Sequence, residues 1–233
     1  MAIIYRDEKG SQLTHTEVDN NFRELDEIPN GKIFPKTSNI GIKVDKDDPT
    51  FPWHDLIGNL HTYNTPNTAR EEVFIGSIRA LAFQENEEAF CNFHLPHDYL
   101  PGTDLFIHVH WTHPGTNVTG GTVTWVFETT YAKGHNQESF TSPVLVPIVQ
   151  TVDSTQYKHY VSETSLSIAG GSGNQLNTNT LEVDGVVSCR LYLDSNDMTL
   201  SGGVAPDCFA LFVDIHYQSS GLGTKNKAPN FYS

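Results

Sequence analysis

Between Ile78 and Tyr217 the apolar residues return with a period of two in eight separate segments, and this alternation most limits the folds open to the chain. The segments are 78–83, 89–94, 105–111, 122–130, 144–152, 159–168, 186–193 and 209–217. Successive side chains of a strand point to opposite faces, so each segment predicts a strand with one buried face. Strands of this number, punctuated by Gly, Pro, Asn and Asp, predict a mainly β fold: a single antiparallel β-sandwich of jelly-roll type. The 13 Phe and 9 Tyr suit that reading, because large aromatics pack well on pleated surfaces. A chain of 233 residues can enclose one substantial core.

The N-terminal region has a different period. Thr14 is followed three residues later by Glu17, the spacing of a capping box. Leu13 then precedes the cap and Val18 is the fourth helical residue, a hydrophobic staple. Val18, Phe22 and Leu25 recur at i, i+4 and i+7, and Pro29-Asn30-Gly31 stops the pattern. The spacing predicts a helix over 13–28 with one narrow apolar stripe. So short a helix is marginal alone in water and needs a partner surface. That surface is the chain's own β-domain, copies of the helix around a symmetry axis, or another protein.

The rest divides by composition into a helical anchor (1–35), an extended arm (36–70), the sandwich (71–218) and a polar tail (219–233). In the arm, Trp53, Leu56 and Ile57 are expected to clip the chain onto a neighbouring surface. In the tail, Phe231 and Tyr232 are expected to fill a pocket on a neighbouring subunit. Gly115–Gly121 reads as a hairpin loop and Ala169–Thr180 as a patternless polar tip.

Histidines provide the main chemical signal. His94, His97 and Asp98 lie in FHLPHDYLPGTD, and His108, His110 and His113 follow in LFIHVHWTH. On the strand 105–111, Phe106, His108 and His110 share one face. Two histidines at i and i+2 on a strand can chelate one metal ion. Gly102 followed after five residues by His108-Val109-His110 resembles the opening G-x5-HxH of the cupin metal motif. The resemblance stops there, since Pro114 and Gly115 stand where the glutamate belongs and the later PxG-x2-H element is missing. A cupin-like metal-dependent enzyme would need His216 or His159 as a further ligand and Asp214 or Glu128 as the carboxylate. The same histidines, His108, His110 and His216, are alternatively a structural metal site.

A formal net charge of −14 repels a phosphate backbone and argues against direct nucleic-acid binding. Cys91, Cys189 and Cys208 have no CxxC spacing and read as small buried hydrophobes. No run has transmembrane length and the first residues lack the apolar core of a signal peptide, so no membrane insertion is expected and synthesis in the cytoplasm is. No nucleophile elbow or phosphate loop occurs, so no catalytic residue is assigned.

The segment GSQLTHTEVDNNFRELDE, Gly10 to Glu27, resembles the N-terminal segment of many bacteriophage tail-fibre and related virion proteins. Leu13, Thr14, Glu17, Val18, Asp19, Asn21, Phe22 and Leu25 stand in the places of that pattern. The stretch FHLPHDYLPGTDLFIHVHW is similar to a group of phage structural proteins. The resemblance implies a virion protein without enzymatic activity, attached to the particle through its N-terminal helix and forming a homotrimer with other virion proteins as partners. Attachment or oligomer contacts then fall to Leu13, Val18, Phe22, Leu25, Trp53, Phe231 and Tyr232. A capsid decoration protein is an alternative. So is a carbohydrate-binding module, or a knob for a host glycan or receptor, with Tyr63, Tyr99 or Tyr131 as platforms.

Overall fold

The computed structural model describes residues 12–16, 18, 51–135 and 138–231, together with the backbone of 32–35 and 42–45. Spatially the chain divides into two compact units, one of residues 1–52 and 219–222, the other of 53–218 and 223–233.

In the first unit His15, Thr16 and Val18 are helical, and the Val18 N–H donates to the Thr14 carbonyl at 3.0 Å. The helix thus starts where the capping sequence places it. Phe22 and Leu25 lie outside the described residues, as does Glu17. Two short strands, β1 (Lys32–Pro35) and β2 (Ile42–Asp45), pair antiparallel with Lys32 opposite Asp45.

The second unit is a β-sandwich. Its strands are β3 (Trp53–Gly58), β4 (Arg70–Ile75), β5 (Ile78–Phe83), β6 (Glu88–His94), β7 (Phe106–Thr112), β8 (Val118–Ala132), β9 (Val144–Thr151) and β10 (Tyr160–Ser165). Then follow β11 (Ser167–Ile168), β12 (Leu176–Asn177), β13 (Val186–Leu200) and β14 (Cys208–Gln218). One sheet runs β10-β7-β14-β5-β4, with β3 also on β14, and the other runs β6-β13-β8-β9. All these pairings are antiparallel. The eight strands anticipated from alternation are β5 to β10, β13 and β14. Each sheet interleaves strands from the two ends of that series, which is the winding of a jelly roll.

The inner faces follow the alternation. Ile107, Val109 and Trp111 of β7 and Val213 and Ile215 of β14 meet Val123, Trp125 and Phe127 of β8 and Leu191 and Leu193 of β13, all fully buried. Trp125 is the hub, with its ring 5.1 Å from Phe83 and 5.8 Å from Trp111, both edge-on. Such contacts add to the burial of area by about 0.5–1.5 kcal/mol per pair. Cys91, Cys189 and Cys208 are buried free thiols, as expected.

Three local expectations are corrected. Val118–Gly121, anticipated in a hairpin loop, is the first part of β8, with Val118 opposite Leu200 and Gly121 opposite Met198. Gly121 adopts φ +102, and a Cβ there would lie 2.3 Å from the Asp197 carbonyl, so glycine is what lets the strand pass this close. The tip at 169–180 has structure of its own, because β12 pairs with β11 and Thr178–Thr180 forms a 3-10 turn. The arm contributes β3 to the sandwich. The register Gln218–Trp53 to Val213–Gly58 seats β3 on β14, collinear with β5 on the same side.

Candidate functional site

The jelly-roll winding sets β3, β14, β7 and β10 side by side, and their odd-even phase sorts the residues. Ile107, Val109, Val213 and Ile215 face inward, so His108, His110, Asp214 and His216 face outward. The register then places partners directly opposite on that outward face. His108 lies opposite Glu163 of β10 and Asp214 of β14. His216 lies opposite Asp55 of β3. Opposed residues on one face have Cβ atoms about 4.5–5.5 Å apart, close enough for side chains to share an ion or a hydrogen bond.

The distances confirm the convergence. Nδ1 of His108 is 3.7 Å from Oδ1 of Asp214, and Nε2 of His216 is 3.9 Å from Oδ2 of the same carboxylate. Nε2 of His216 is 2.7 Å from Oδ1 of Asp55. Oε2 of Glu163 approaches the far nitrogens of both rings, Nε2 of His108 at 2.5 Å and Nδ1 of His216 at 3.5 Å. The His108 and His216 rings cross edge-on with centroids 3.9 Å apart. His110 stands one step outside, with Nε2 3.0 Å from Asp214 Oδ1 and Nδ1 2.8 Å from Nε2 of His159. Phe212 stacks on the His110 ring at 4.1 Å and fixes its plane.

Electrostatics makes the cluster unusual. The Asp214 side chain is only 5% exposed and that of His108 only 4%. A carboxylate so buried is costly without a counter-charge. Among the described residues no Lys or Arg pairs with Asp55, Glu163 or Asp214, whose ionic partners are all histidines. His110 is a poor cation here: burial pushes its pKa down, and the neighbouring His159 and His108 add to that against the pull of Asp214. His108 Nε2 is buried and lacks hydrogen-bond geometry to any partner, its close approach to Glu163 included.

The three histidines expected as ligands are therefore brought together, with a change of roles. The compact donor set is His108, Asp214 and His216, whose ligand atoms all lie within 4.8 Å of one another, while His110 braces Asp214. Asp55 and Glu163 carried no legible signal, because only strand register brings them in. Glu128 lies on the other sheet, 2.7 Å from the Arg190 guanidinium. His94 and His97 join a different group: with His135 they surround Asp184 at 3.4, 3.0 and 2.7 Å, on well-exposed rings.

The expected contact residues fall in several places. Leu13 and Val18 are half-buried, and Trp53 is exposed beside Phe106, with ring centroids 5.6 Å apart. Phe231 was expected on a neighbouring subunit. It is instead buried in its own chain against the rings of His97 and His135, because the tail folds back on this end of the sandwich. Tyr232 lies outside the described residues. Tyr99 and Tyr131 are core residues, so neither can serve as a platform. Tyr63 is exposed and borders a pocket of about 280 Å³ with His61, Phe90, Asn92, Glu128 and Arg190.

No protein-family profile matches the chain, and no curated protein sequence matches it.

Proposed function

We propose that the chain is a structural protein of a bacteriophage virion, attached through its N-terminal segment and displaying its jelly roll as a trimer, in the manner of a tail fibre, neck adaptor or knob. The observation that carries this reading is the partition of the chain. The phage-like segment 10–27 falls wholly within one unit, and the two-sheet sandwich makes up the other. Anchoring and display are then separate tasks of separate parts. The helical turn at His15–Val18 supports the anchor half, since it begins at the cap that the motif requires. Jelly rolls recur in viral capsid and lectin domains, which is support by analogy.

Trimer formation draws on the surface. The edge hairpin β4–β5 exposes Ile75 opposite Ile78, with Val73 exposed opposite Arg79, and the outward face of β3 exposes Trp53 and Ile57. Large apolar side chains exposed on a sheet edge are the association contacts this reading uses. A net charge of −14 turns the particle's nucleic acid away and leaves protein as the partner.

The Tyr63 pocket favours a second reading within the first, in which the displayed face meets a host glycan. An exposed aromatic beside Asn, Glu and Arg is the composition that sugar rings use. An electron-microscopy map of the intact particle tests the main proposal. Three copies at a tail, neck or fibre position are expected; density arrayed over the capsid lattice would favour the decoration alternative, and absence from the particle would overturn both.

A further inference from the structure

We propose that the outward face of the six-stranded sheet binds one divalent transition-metal ion, Zn2+ by its donor chemistry, through His108, Asp214 and His216, with Asp55 beside His216 on the exposed side. Nothing in this depends on the virion reading, and the site is formed by one chain.

The ligand assignment follows from which atom faces which. Asp214 presents Oδ1 3.7 Å from His108 Nδ1 and Oδ2 3.9 Å from His216 Nε2. Both separations are too long for hydrogen bonds. They approach the spacing of about 3.4 Å that metal bonds of about 2.0–2.1 Å impose on tetrahedral neighbours. Asp55 Oδ1 approaches the same His216 Nε2, so two carboxylates converge on one ring nitrogen. A single proton on that nitrogen serves one carboxylate; a cation serves both.

The surroundings have the form of a second shell. Glu163 faces the distal nitrogen of each ligand ring, and His110 Nε2 reaches Asp214 Oδ1 at 3.0 Å. Carboxylates behind metal-bound imidazoles fix the tautomer and raise ligand basicity. The buried His108 and Asp214 supply the preorganised half of the site, while Asp55 and Glu163, both well exposed, leave an entry path. Two imidazoles with carboxylates suit Zn2+ better than Mg2+ or Ca2+, which take oxygen alone. An ion here ties β7 to β14, with Asp55 of β3 beside it.

The test uses the purified full chain, stripped with a chelator and titrated with Co2+ and then Zn2+. We expect one equivalent bound, a visible ligand-field spectrum with Co2+ that Zn2+ erases, and a Tm rise of roughly 5–10 °C at a hundredfold excess over Kd. His216→Ala, at a half-exposed position, and the isosteric Asp214→Asn should each abolish that equivalent. Glu163→Gln should weaken it by about 10–100-fold. His97→Ala, at the separate Asp184 cluster, should leave it unchanged. A wild-type far-UV spectrum in the apo variants shows that loss of binding reports the site and not misfolding. Absence of stoichiometric binding, or equal loss in His97→Ala, overturns the proposal.

Discussion

His108 and Asp214 face each other across β7 and β14 with 3.7 Å between Nδ1 and Oδ1, both buried although they lie on the face that points away from the core. The sandwich therefore has two kinds of interior. One is the apolar layer between the sheets. The other is a polar cluster flanked by its own outer residues, Glu163, His216 and Asp55. The stability of the first and the ionic chemistry of the second separate cleanly by mutation.

The two core tryptophans should respond differently to loss of their N–H. Trp111 Nε1 donates to Ser162 Oγ at 2.8 Å, whereas Trp125 Nε1 is buried without a partner. Trp125→Ala should cost about 3–5 kcal/mol. Trp111→Phe should cost about 1 kcal/mol more than Trp125→Phe, because it removes a hydrogen bond as well as volume. Urea unfolding of the four proteins checks the order.

Gly121→Ala should destabilise the fold by at least about 2 kcal/mol. Both the left-handed backbone and the Asp197 carbonyl 2.3 Å from the added Cβ oppose it. Gly76→Ala, at the β4–β5 turn with open space around it, bears the backbone strain alone and should cost less, about 1 kcal/mol. Thermal melts of both variants decide.

Acidification should weaken the fold through His113. Burial is the largest influence and pushes its pKa below the ordinary 6.5, with partial compensation from Asp153. The unfolded chain then binds this proton more readily than the native one. Its contribution is fully present above pH 6.5 and is lost as pH falls from there through the lower, folded value. The stability–pH slope below pH 6.5 should shrink in His113→Gln, by up to about 1.4 kcal/mol per unit while one proton is taken up. An unchanged slope would remove His113 as the cause.

The exposed hairpin should hold the oligomer. The wild-type chain should show three times its 25.9 kDa mass by light scattering. Ile75→Asp with Ile78→Asp should give monomers of unchanged circular dichroism. A trimer that survives the double substitution places the interface elsewhere.

Much of this fold is legible in the sequence, because a strand with one buried face writes its phase into the chain. Ile107-His108-Val109-His110-Trp111 shows which residues face in and which face out before any coordinates are known. The same phase in Val213-Asp214-Ile215-His216 puts a second polar pair outward. What the sequence does not encode locally is register. Nothing near Glu163 or Asp55 announces that β10 and β3 will set them against His108 and His216, since that follows from pairing across 55 and more residues. Gly120-Gly121 misleads for a related reason. Glycines that signal a turn in isolation here let β8 pass tightly against β13. Phe231 looks like a free tail residue until the fold brings His97 and His135 around it.

The central claim is that the N-terminal segment attaches the chain to a particle. The most direct measurement is the amount of this chain in purified virions when residues 1–35 are deleted, with the isolated variant shown to melt like the full chain. Loss of incorporation with an intact sandwich is the predicted result. Incorporation at the level of the full chain would contradict the account.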